Sequence, residues 1–177
     1  MIKTCLKNGQ EVIIRLPQKE DAQQMIDFYN VVGGETNFLS FGKNEFSMSL
    51  NEYEKFLEVT KKVDNSIVVV ATVNDEIISI ASITSGQKAR TKHVGTFGIV
   101  VSKKYCGLGL GVKLMDYLMD WSKSNGVTKK ISLVTNEENT VAIELYKKFG
   151  FEVDCILKKD NYVNGEYLNT VIMSILF

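Results

Sequence analysis

The sequence of 177 residues has no excess of charge of either sign, because 21 basic side chains balance 21 acidic ones. A nucleic-acid-binding domain needs a broad positive field, so this balance argues against a nucleic-acid partner. No apolar run approaches the roughly 20 residues of a transmembrane helix, and the N-terminal stretch MIKTCLKNGQ has no apolar signal core. We therefore expect a soluble cytoplasmic protein that binds neither nucleic acid nor membrane.

Cysteine and histidine are also scarce. The three cysteines, Cys5, Cys106 and Cys155, are odd in number and far apart, which argues against a disulfide framework or a thiolate metal site. No metal is therefore expected. The single histidine, His93, leaves little choice of imidazole base. With 45% hydrophobic residues the chain has enough apolar content for a core, and its length predicts one domain over residues 1–177.

Glycine, in contrast, is concentrated in one short stretch. Residues 96–118, TFGIVVSKKYCGLGLGVKLMDYL, predict a strand, a turn with Gly107, Gly109 and Gly111, and then a helix. Glycines let a ligand approach the main chain, and the first N–H groups of a helix are free to bind an anion such as phosphate. The spacing matches neither the Walker loop nor the dinucleotide-binding fingerprint. The loop is therefore either a phosphate cradle of another kind or a tight strand-to-helix connection.

The rest of the chain alternates strand and helix patterns. Strands are predicted at 11–16, 67–73, 77–84, 93–101, 131–135, 151–157 and 166–177, and helices at 20–32, 49–63, 110–125 and 136–149. Residues 35–46 have no clear period, so we expect a loop over a pocket or a short irregular helix. The resulting order, β-α-α-β-β-β-α-β-α-β-β, predicts a mixed α/β (α+β) fold.

Two motifs resemble those of the GNAT acyl-CoA N-acyltransferases. One is the glycine loop YCGLGLG, and the other is the later segment NTVAIELYKKFGF. The second motif matches the family at Asn139, Ala142, Leu145, Tyr146, Gly150 and Phe151. The resemblance implies a mostly antiparallel seven-stranded sheet flanked by four helices. It also implies an enzyme that transfers an acetyl group from acetyl-CoA to a primary amine. Dimers are frequent in such folds, so a homodimer is a further expectation by analogy.

The resemblance also assigns residues to the donor, acetyl-CoA. Main-chain N–H groups of the loop would bind its phosphates, and the preceding strand would bind its pantetheine arm. The assigned residues are Ile99, Val101, Gly107, Gly109, Leu110, Gly111, Val112 and Asn139. Asn139 would either contact the donor or cap its helix. Cys106 stands where the family has Gln or Arg, which should weaken phosphate binding without abolishing it.

The chemistry requires a neutral amine and a proton donor for the departing thiolate. Tyr146, with an ordinary pKa near 10, is the candidate acid. Its place on a helical stripe, taken alone, favours a core tyrosine, whereas the family resemblance favours the catalytic role.

The general base is harder to assign. Many relatives carry an acidic residue in the strand before the glycine loop, where this chain has Gly95 and Thr96. His93, Glu35 and the pair Glu137-Glu138 are alternative candidates. A water chain, or no base at all, is equally open.

The acceptor pocket is predicted under residues 35–46, with Glu35, Phe38 and Phe41 as binding residues. The alternative is a loop packed by its own aromatic side chains. A peptide or small-molecule amine is the expected partner. A second hypothesis for the whole chain is a catalytically idle CoA-binding or regulatory domain of the same fold.

Overall fold

The sheet of the computed structural model, which describes residues 1–177, has eight strands. They are β1 (Ile2–Cys5), β2 (Glu11–Arg15), β3 (Ile67–Val73), β4 (Glu76–Ser85), β5 (Val94–Val101), β6 (Lys130–Asn136), β7 (Glu152–Val163) and β8 (Glu166–Leu176). Their spatial order is β1-β2-β3-β4-β5-β6-β8-β7. Neighbours are antiparallel except for β5 and β6, which run parallel. The fold class is as predicted, whereas the predicted number of seven strands is wrong.

The strand missing from the prediction is β1. It has only four residues, three of them exposed, and it pairs with β2 at the edge of the sheet. So short a polar segment gives no periodic signal, and its strand conformation depends on the partner strand. β7 is also longer than predicted, because the polar residues after position 157 continue to pair with β8.

The four predicted helices are present and cover both faces of the sheet. They are α1 (Ala22–Val32), α2 (Leu50–Thr60), α3 (Leu110–Ser124) and α4 (Thr140–Lys148). The protein has two hydrophobic cores, one on each face of the sheet, because successive side chains of β3 point to opposite faces. Val68 and Val70 pack with α1 and α2, while Val69 and Ala71 pack with α3. No helix is both long and apolar enough to cross a membrane.

Turn residues set several element boundaries. Asn74 and Asp75 have φ of 50° and 64° between β3 and β4, as a type I′ hairpin turn requires. The helix predicted from residue 136 begins only at Thr140, because the Asn136 side chain accepts a hydrogen bond from Glu138 N at 2.8 Å and holds a turn first. Gly150, with φ of 91°, ends α4 as predicted.

The sheet opens between its two parallel strands. β5 and β6 pair at three positions only, of which Thr96 opposite Ser132 is the last. Beyond that point β5 stays paired with β4 as far as Val101, and β6 stays paired with β8 as far as Asn136. A wedge-shaped gap therefore begins at Phe97 and widens toward the carboxyl ends of both strands.

Candidate active site in the gap between two strands

The glycine loop after β5 presents a row of unpaired main-chain donors. None of the N–H groups of residues 107–112 donates to a main-chain carbonyl or to a side chain, and the first bond of α3 runs from Lys113 N to Gly109 O at 3.3 Å. The N-terminus of α2, in contrast, is closed by a capping box between Ser49 and Glu52. Because the start of α3 also carries about half a positive charge, this loop is suited to bind an anion.

Two glycines hold the loop in a conformation that other residues avoid. φ is 75° at Gly107 and 86° at Gly109, in the left-handed region. A Cβ at Gly107 would meet nothing within 4 Å, so the space in front of the turn is open. The side chain of Leu110 is buried and anchors the first turn of α3. The geometry therefore favours an anion cradle over a simple tight connection.

The next two loop residues belong to α3. A Cβ at Gly111 would lie 3.3 Å from Leu145 Cδ2, so glycine allows α3 to pack closely on α4. The side chain of Val112 is 44% exposed. Both residues thus offer their N–H groups to the open side of the loop.

The edge of β5 that faces the gap carries free backbone groups. Ser102 N donates to Ile78 O on β4 at 3.0 Å, and successive residues of a strand direct their main-chain groups to opposite edges. The main-chain groups of Ile99 and Val101 therefore point into the gap. The stretch 97–101, which is unpaired on the side that faces β6, is about 13 Å long and leaves room for an extended ligand between the strands.

Tyr146 lies where the gap begins. Its ring is 6% exposed and packs edge-to-face on Phe97, with 5.9 Å between ring centroids, and against Phe151 at 6.0 Å. Burial raises the pKa of Tyr146 to about 12. Ser85 Oγ is the one fully buried side-chain oxygen or nitrogen without a partner, so the unpaired Tyr146 hydroxyl keeps access to the outside. Tyr146 is thus a core residue by its ring, and its hydroxyl is neither hydrogen-bonded nor fully buried.

The turn between β6 and α4 lies at the open end of the gap. Asn139 does not cap α4 with its side chain; instead its Nδ2 donates to Thr135 Oγ1 at 3.2 Å. Side-chain capping, the simpler explanation of this residue, is therefore wrong. Glu137 Oε2 accepts a hydrogen bond from Asn169 Nδ2 at 2.7 Å, and Glu138 is exposed.

His93 lies at the opposite, closed end of β5. It is exposed, and its carbonyl accepts hydrogen bonds from Lys129 N and Lys130 N. Four residues of extended chain separate it from Phe97, a distance of about 13 Å. The structure does not bring His93 together with Tyr146, and burial alone accounts for the raised pKa of that tyrosine.

Glu35 has a partner that the sequence did not suggest. Its Oε2 accepts a hydrogen bond from Lys103 N at 2.8 Å, at the 3-10 turn that leads into the glycine loop. The pKa of the Cys106 thiol is raised by burial and, to a smaller extent, by the negative charge of the Glu35 carboxylate. Glu35 therefore connects the predicted acceptor segment with the predicted donor loop.

Segment 35–46 folds back on α1. Gly33 makes this possible, since a Cβ there would lie 2.3 Å from Gly42 O. Phe41 packs edge-to-face on Tyr29 with centroids 5.9 Å apart, and Phe46 stacks on Tyr29 at 4.6 Å. Of the two phenylalanines predicted to bind the acceptor, Phe41 thus serves the packing of the segment, and Phe38 is 41% exposed.

Two groups of residues near the site were not predicted from the sequence. Tyr29 and Tyr53 form the centre of an aromatic cluster beneath segment 35–46, and burial raises the pKa of both. Lys7, in the turn between β1 and β2, contacts the glycine loop. The contact between Tyr29 and Tyr53 and the contact of Lys7 with the loop both join separate parts of the chain, so no local sequence motif predicts them.

Other surface depressions lie away from this gap. Two grooves of about 580 and 590 Å³ flank Trp121, one against β1 and one against α2. Neither is lined by Tyr146 or by residues 107–112.

Comparison with known proteins agrees with the fold. The acetyltransferase (GNAT) family model matches residues 36–151. The L-amino acid N-acetyltransferase AaaT of Escherichia coli (strain K12) is 30% identical over 106 residues, which are 60% of this chain and 65% of that protein. Spermidine N(1)-acetyltransferase of the same organism is 34% identical over 79 residues, 45% of this chain and 42% of that protein. Both matches thus span less than two thirds of these relatives.

A solved structure matches almost the whole chain. The acetyltransferase of GNAT family from Streptococcus pneumoniae has a TM-score of 0.90 and 30% identity, and the match covers 94% of this chain and 99% of that one. The family model alone covers more than half of the 177 residues. This chain therefore belongs to the acetyltransferase (GNAT) family.

Proposed function

We propose that this protein is an N-acetyltransferase that passes an acetyl group from acetyl-CoA to a primary amine, which attacks the thioester directly in a ternary complex. One observation carries the proposal: β5 and β6 stop pairing after Thr96, a row of unpaired N–H donors follows β5 at one end of this gap, and the Tyr146 ring packs on Phe97 at the other. A ligand with a phosphate at one end and a reactive group at the other matches this arrangement.

The phosphate end of the donor fits the glycine loop. The N–H groups of residues 107–112 have no acceptor within the chain, and the Cβ-free turn at Gly107 leaves their approach open. Oxygen atoms of a diphosphate would supply the missing acceptors. Cys106 offers no cation here, because a thiol is never positively charged; its Sγ contacts the carbonyl oxygens of Val101 and Ser102.

The arm of the donor would follow the edge of β5. Ile99 and Val101 direct main-chain groups into the gap, where amides of an extended ligand are able to continue the sheet pattern. Asn139, whose Oδ1 accepts no hydrogen bond within the chain, stands on the β6 side of the opening.

Tyr146 would donate its proton to the leaving sulfur. The reaction balances without an outside acid: a neutral amine loses one N–H proton as the C–N bond forms, and the sulfur gains one proton as the C–S bond breaks. A phenol with a pKa of about 12 is fully protonated at neutral pH. The amine nitrogen then returns a proton to the phenolic oxygen, directly or through water.

The acceptor would enter from the side of α1 and segment 35–46. Glu35 and Phe38 are its proposed contacts, with Phe41 holding the segment in place. The two relatives named above differ in their acceptors, an amino acid and a polyamine, so their names do not decide between these chemical classes.

The competing function is an idle CoA-binding domain, and the replacement of Gln or Arg by Cys106 and of the acid by Thr96 favours it. Release of free thiol from acetyl-CoA, followed with and without a panel of primary amines, separates the two. An enzyme releases thiol in proportion to the N-acetylated product. Tight CoA binding with no amine-dependent release would establish the idle domain, and no CoA binding would refute both.

A further inference from the structure

The turn between β1 and β2 is built onto the glycine loop. Lys7 N donates to Leu108 O at 3.0 Å, which ties the turn to the centre of the loop. The turn itself is closed by bonds from Leu6 N to Gln10 O and from Gly9 N to Leu6 O, both 2.9 Å, and the Leu6 side chain is buried. The position of Lys7 is therefore fixed by the main chain on both sides of it.

The Lys7 side chain lies across Gly109. A Cβ at Gly109 would be 3.6 Å from both Cγ and Cε of Lys7 and 3.9 Å from its Cδ. The methylene stem thus covers the glycine, and the ammonium, one bond beyond Cε, stays beside the loop. Lys7 is exposed and belongs to none of the ion pairs of the structure.

A diphosphate on the loop calls for cations in addition to the main-chain N–H groups, and residues 107–112 themselves carry none. Two phosphates carry more negative charge than the partial charges of helix N–H groups offset. Lys104 places its ammonium 5.2 Å from the centroid of the Tyr105 ring, and the Glu35 carboxylate adds a negative charge nearby. Lys7 is the side chain that the fold itself holds against the loop.

We propose that the Lys7 ammonium binds a phosphate of the CoA donor, so that the N-terminal hairpin is part of the donor site. This inference rests on the proposed function insofar as it takes CoA as the ligand. It assigns a role to β1 and β2, which precede the stretch matched by the family model. It also accounts for how the loop tolerates Cys106, because the missing charge comes from another element.

Calorimetric titration of the full-length protein with CoA tests the proposal. Lys7→Met keeps the stem over Gly109 and removes the charge, so CoA should bind roughly tenfold more weakly, as for the loss of one charge-assisted hydrogen bond. The slope of log Kd against log salt should also become shallower, because one cation–phosphate contact is gone. Lys7→Arg should retain most of the affinity.

Lys3→Met is the matched control, since Lys3 lies on the same hairpin and pairs with Glu11 at 3.8 Å, away from the loop. Titration with dephospho-CoA, which lacks the 3′-phosphate, locates the contact. If Lys7→Met also weakens the binding of dephospho-CoA, Lys7 contacts the diphosphate; if it weakens the binding of CoA only, Lys7 contacts the 3′-phosphate. Both outcomes support the proposal. The proposal is overturned if Lys7→Met binds CoA within about twofold of the wild type, or if Lys3→Met loses as much affinity as Lys7→Met. If the wild type itself does not bind CoA, the proposed function is refuted instead.

Discussion

Burial decides the proton chemistry of the candidate acid. With its pKa raised to about 12, Tyr146 keeps its proton over the neutral and mildly alkaline range in which an amine becomes neutral. The activity should therefore rise with pH as the amine loses its proton, and it should show no fall from ionisation of the phenol below about pH 10, the ordinary value for tyrosine. The edge-to-face contact with Phe97 holds the ring of Tyr146 in the core.

The first prediction concerns the variant Tyr146→Phe. It keeps the ring packing and removes the hydroxyl, so turnover should fall by about 10²–10⁴-fold, as for a lost acid catalyst, while the Kd for CoA stays close to that of the wild type. Steady-state kinetics and calorimetry measure the two quantities. Tyr117→Phe, which removes a tyrosine hydroxyl from α3 beside the Trp121 grooves, is the control and should keep full turnover.

A Tyr146→Phe enzyme with unchanged turnover, in conditions where chemistry is rate-limiting, would return this tyrosine to the role of a core residue. A loss of CoA affinity in the same variant would indicate a change in the gap itself.

A second prediction at the residue scale separates two roles of Glu35. Glu35→Gln removes the charge but keeps an oxygen that accepts from Lys103 N, so it should raise the KM for the amine by roughly tenfold and leave the KM for acetyl-CoA unchanged. Glu35→Ala also breaks the connection to the loop and should raise both constants. Initial rates with each substrate varied in turn measure them.

The control for this pair is Glu45→Ala. Glu45 accepts a hydrogen bond from Gly42 N at 2.6 Å inside segment 35–46 and does not reach the loop. If Glu35→Gln matched the wild type in both constants, Glu35 would connect the elements without contacting the acceptor.

At the scale of elements, the strand-loop-helix unit at residues 94–124 is the part of the site that the sequence predicts well. Its signal is local, since alternating apolar residues, three glycines and a helical stripe follow each other directly. The hairpin of β3 and β4 is equally predictable, because Asn74-Asp75 stands between two β-branched runs. β1 and the second half of β7 are polar and become strands only through pairing with β2 and β8.

The contacts between elements could not be predicted in the same way. The bond from Lys7 to Leu108 and the bond from Lys103 to Glu35 join residues far apart in the chain. Neither residue type is unusual at its position, and only the fold brings them to the loop. The side-chain partner of Asn139, Thr135 instead of the helix terminus, depends likewise on how β6 enters its turn.

The third prediction tests the glycine loop with two valine substitutions. Gly109→Val places a branched side chain at a φ of 86°, so the loop should shift, misalign its N–H groups and bind CoA at least about tenfold more weakly. Gly126→Val imposes a similar strain at a φ of 74°, in open space at the far end of α3, and serves as the control. Thermal unfolding should show similar destabilisation of both, and calorimetry should show weak CoA binding of the first only. Equal affinities would mean that the loop is not the cradle.

At the scale of the whole molecule, the gap is a consequence of strand order. β8 lies between β6 and β7 and pairs with β6 along the full length of β6. β5, in turn, is paired with β4 from Gly95 to Val101. The sheet thus consists of two well-paired halves that meet over three residue pairs. The carboxyl ends of the parallel strands then diverge, which brings the glycine loop, the start of α4 and Tyr146 around one opening.

The position of His93 and the identity of residue 96 lead to the last prediction. Freeing a lysine-like amine with a pKa near 10.4 at pH 7 costs roughly 4–5 kcal/mol, whereas an α-amine near 7.7–8.0 costs about 1 kcal/mol. Because His93 lies about 13 Å along the strand from Phe97 and Thr96 stands in place of an acid, we expect solvent to take the proton and the site to prefer α-amines. The C-terminal amides of Nε-acetyl-lysine and Nα-acetyl-lysine offer matched acceptors, because the neutral amide keeps the α-amine near the peptide value, and kcat/KM at pH 7 should favour the free α-amine of the first by roughly 10²-fold. The difference should shrink as the pH approaches 10, because the α-amine is then already neutral while the neutral fraction of the ε-amine continues to rise. A preference for the ε-amine at pH 7 would show that the protein supplies a base, and loss of that preference in His93→Ala would identify it.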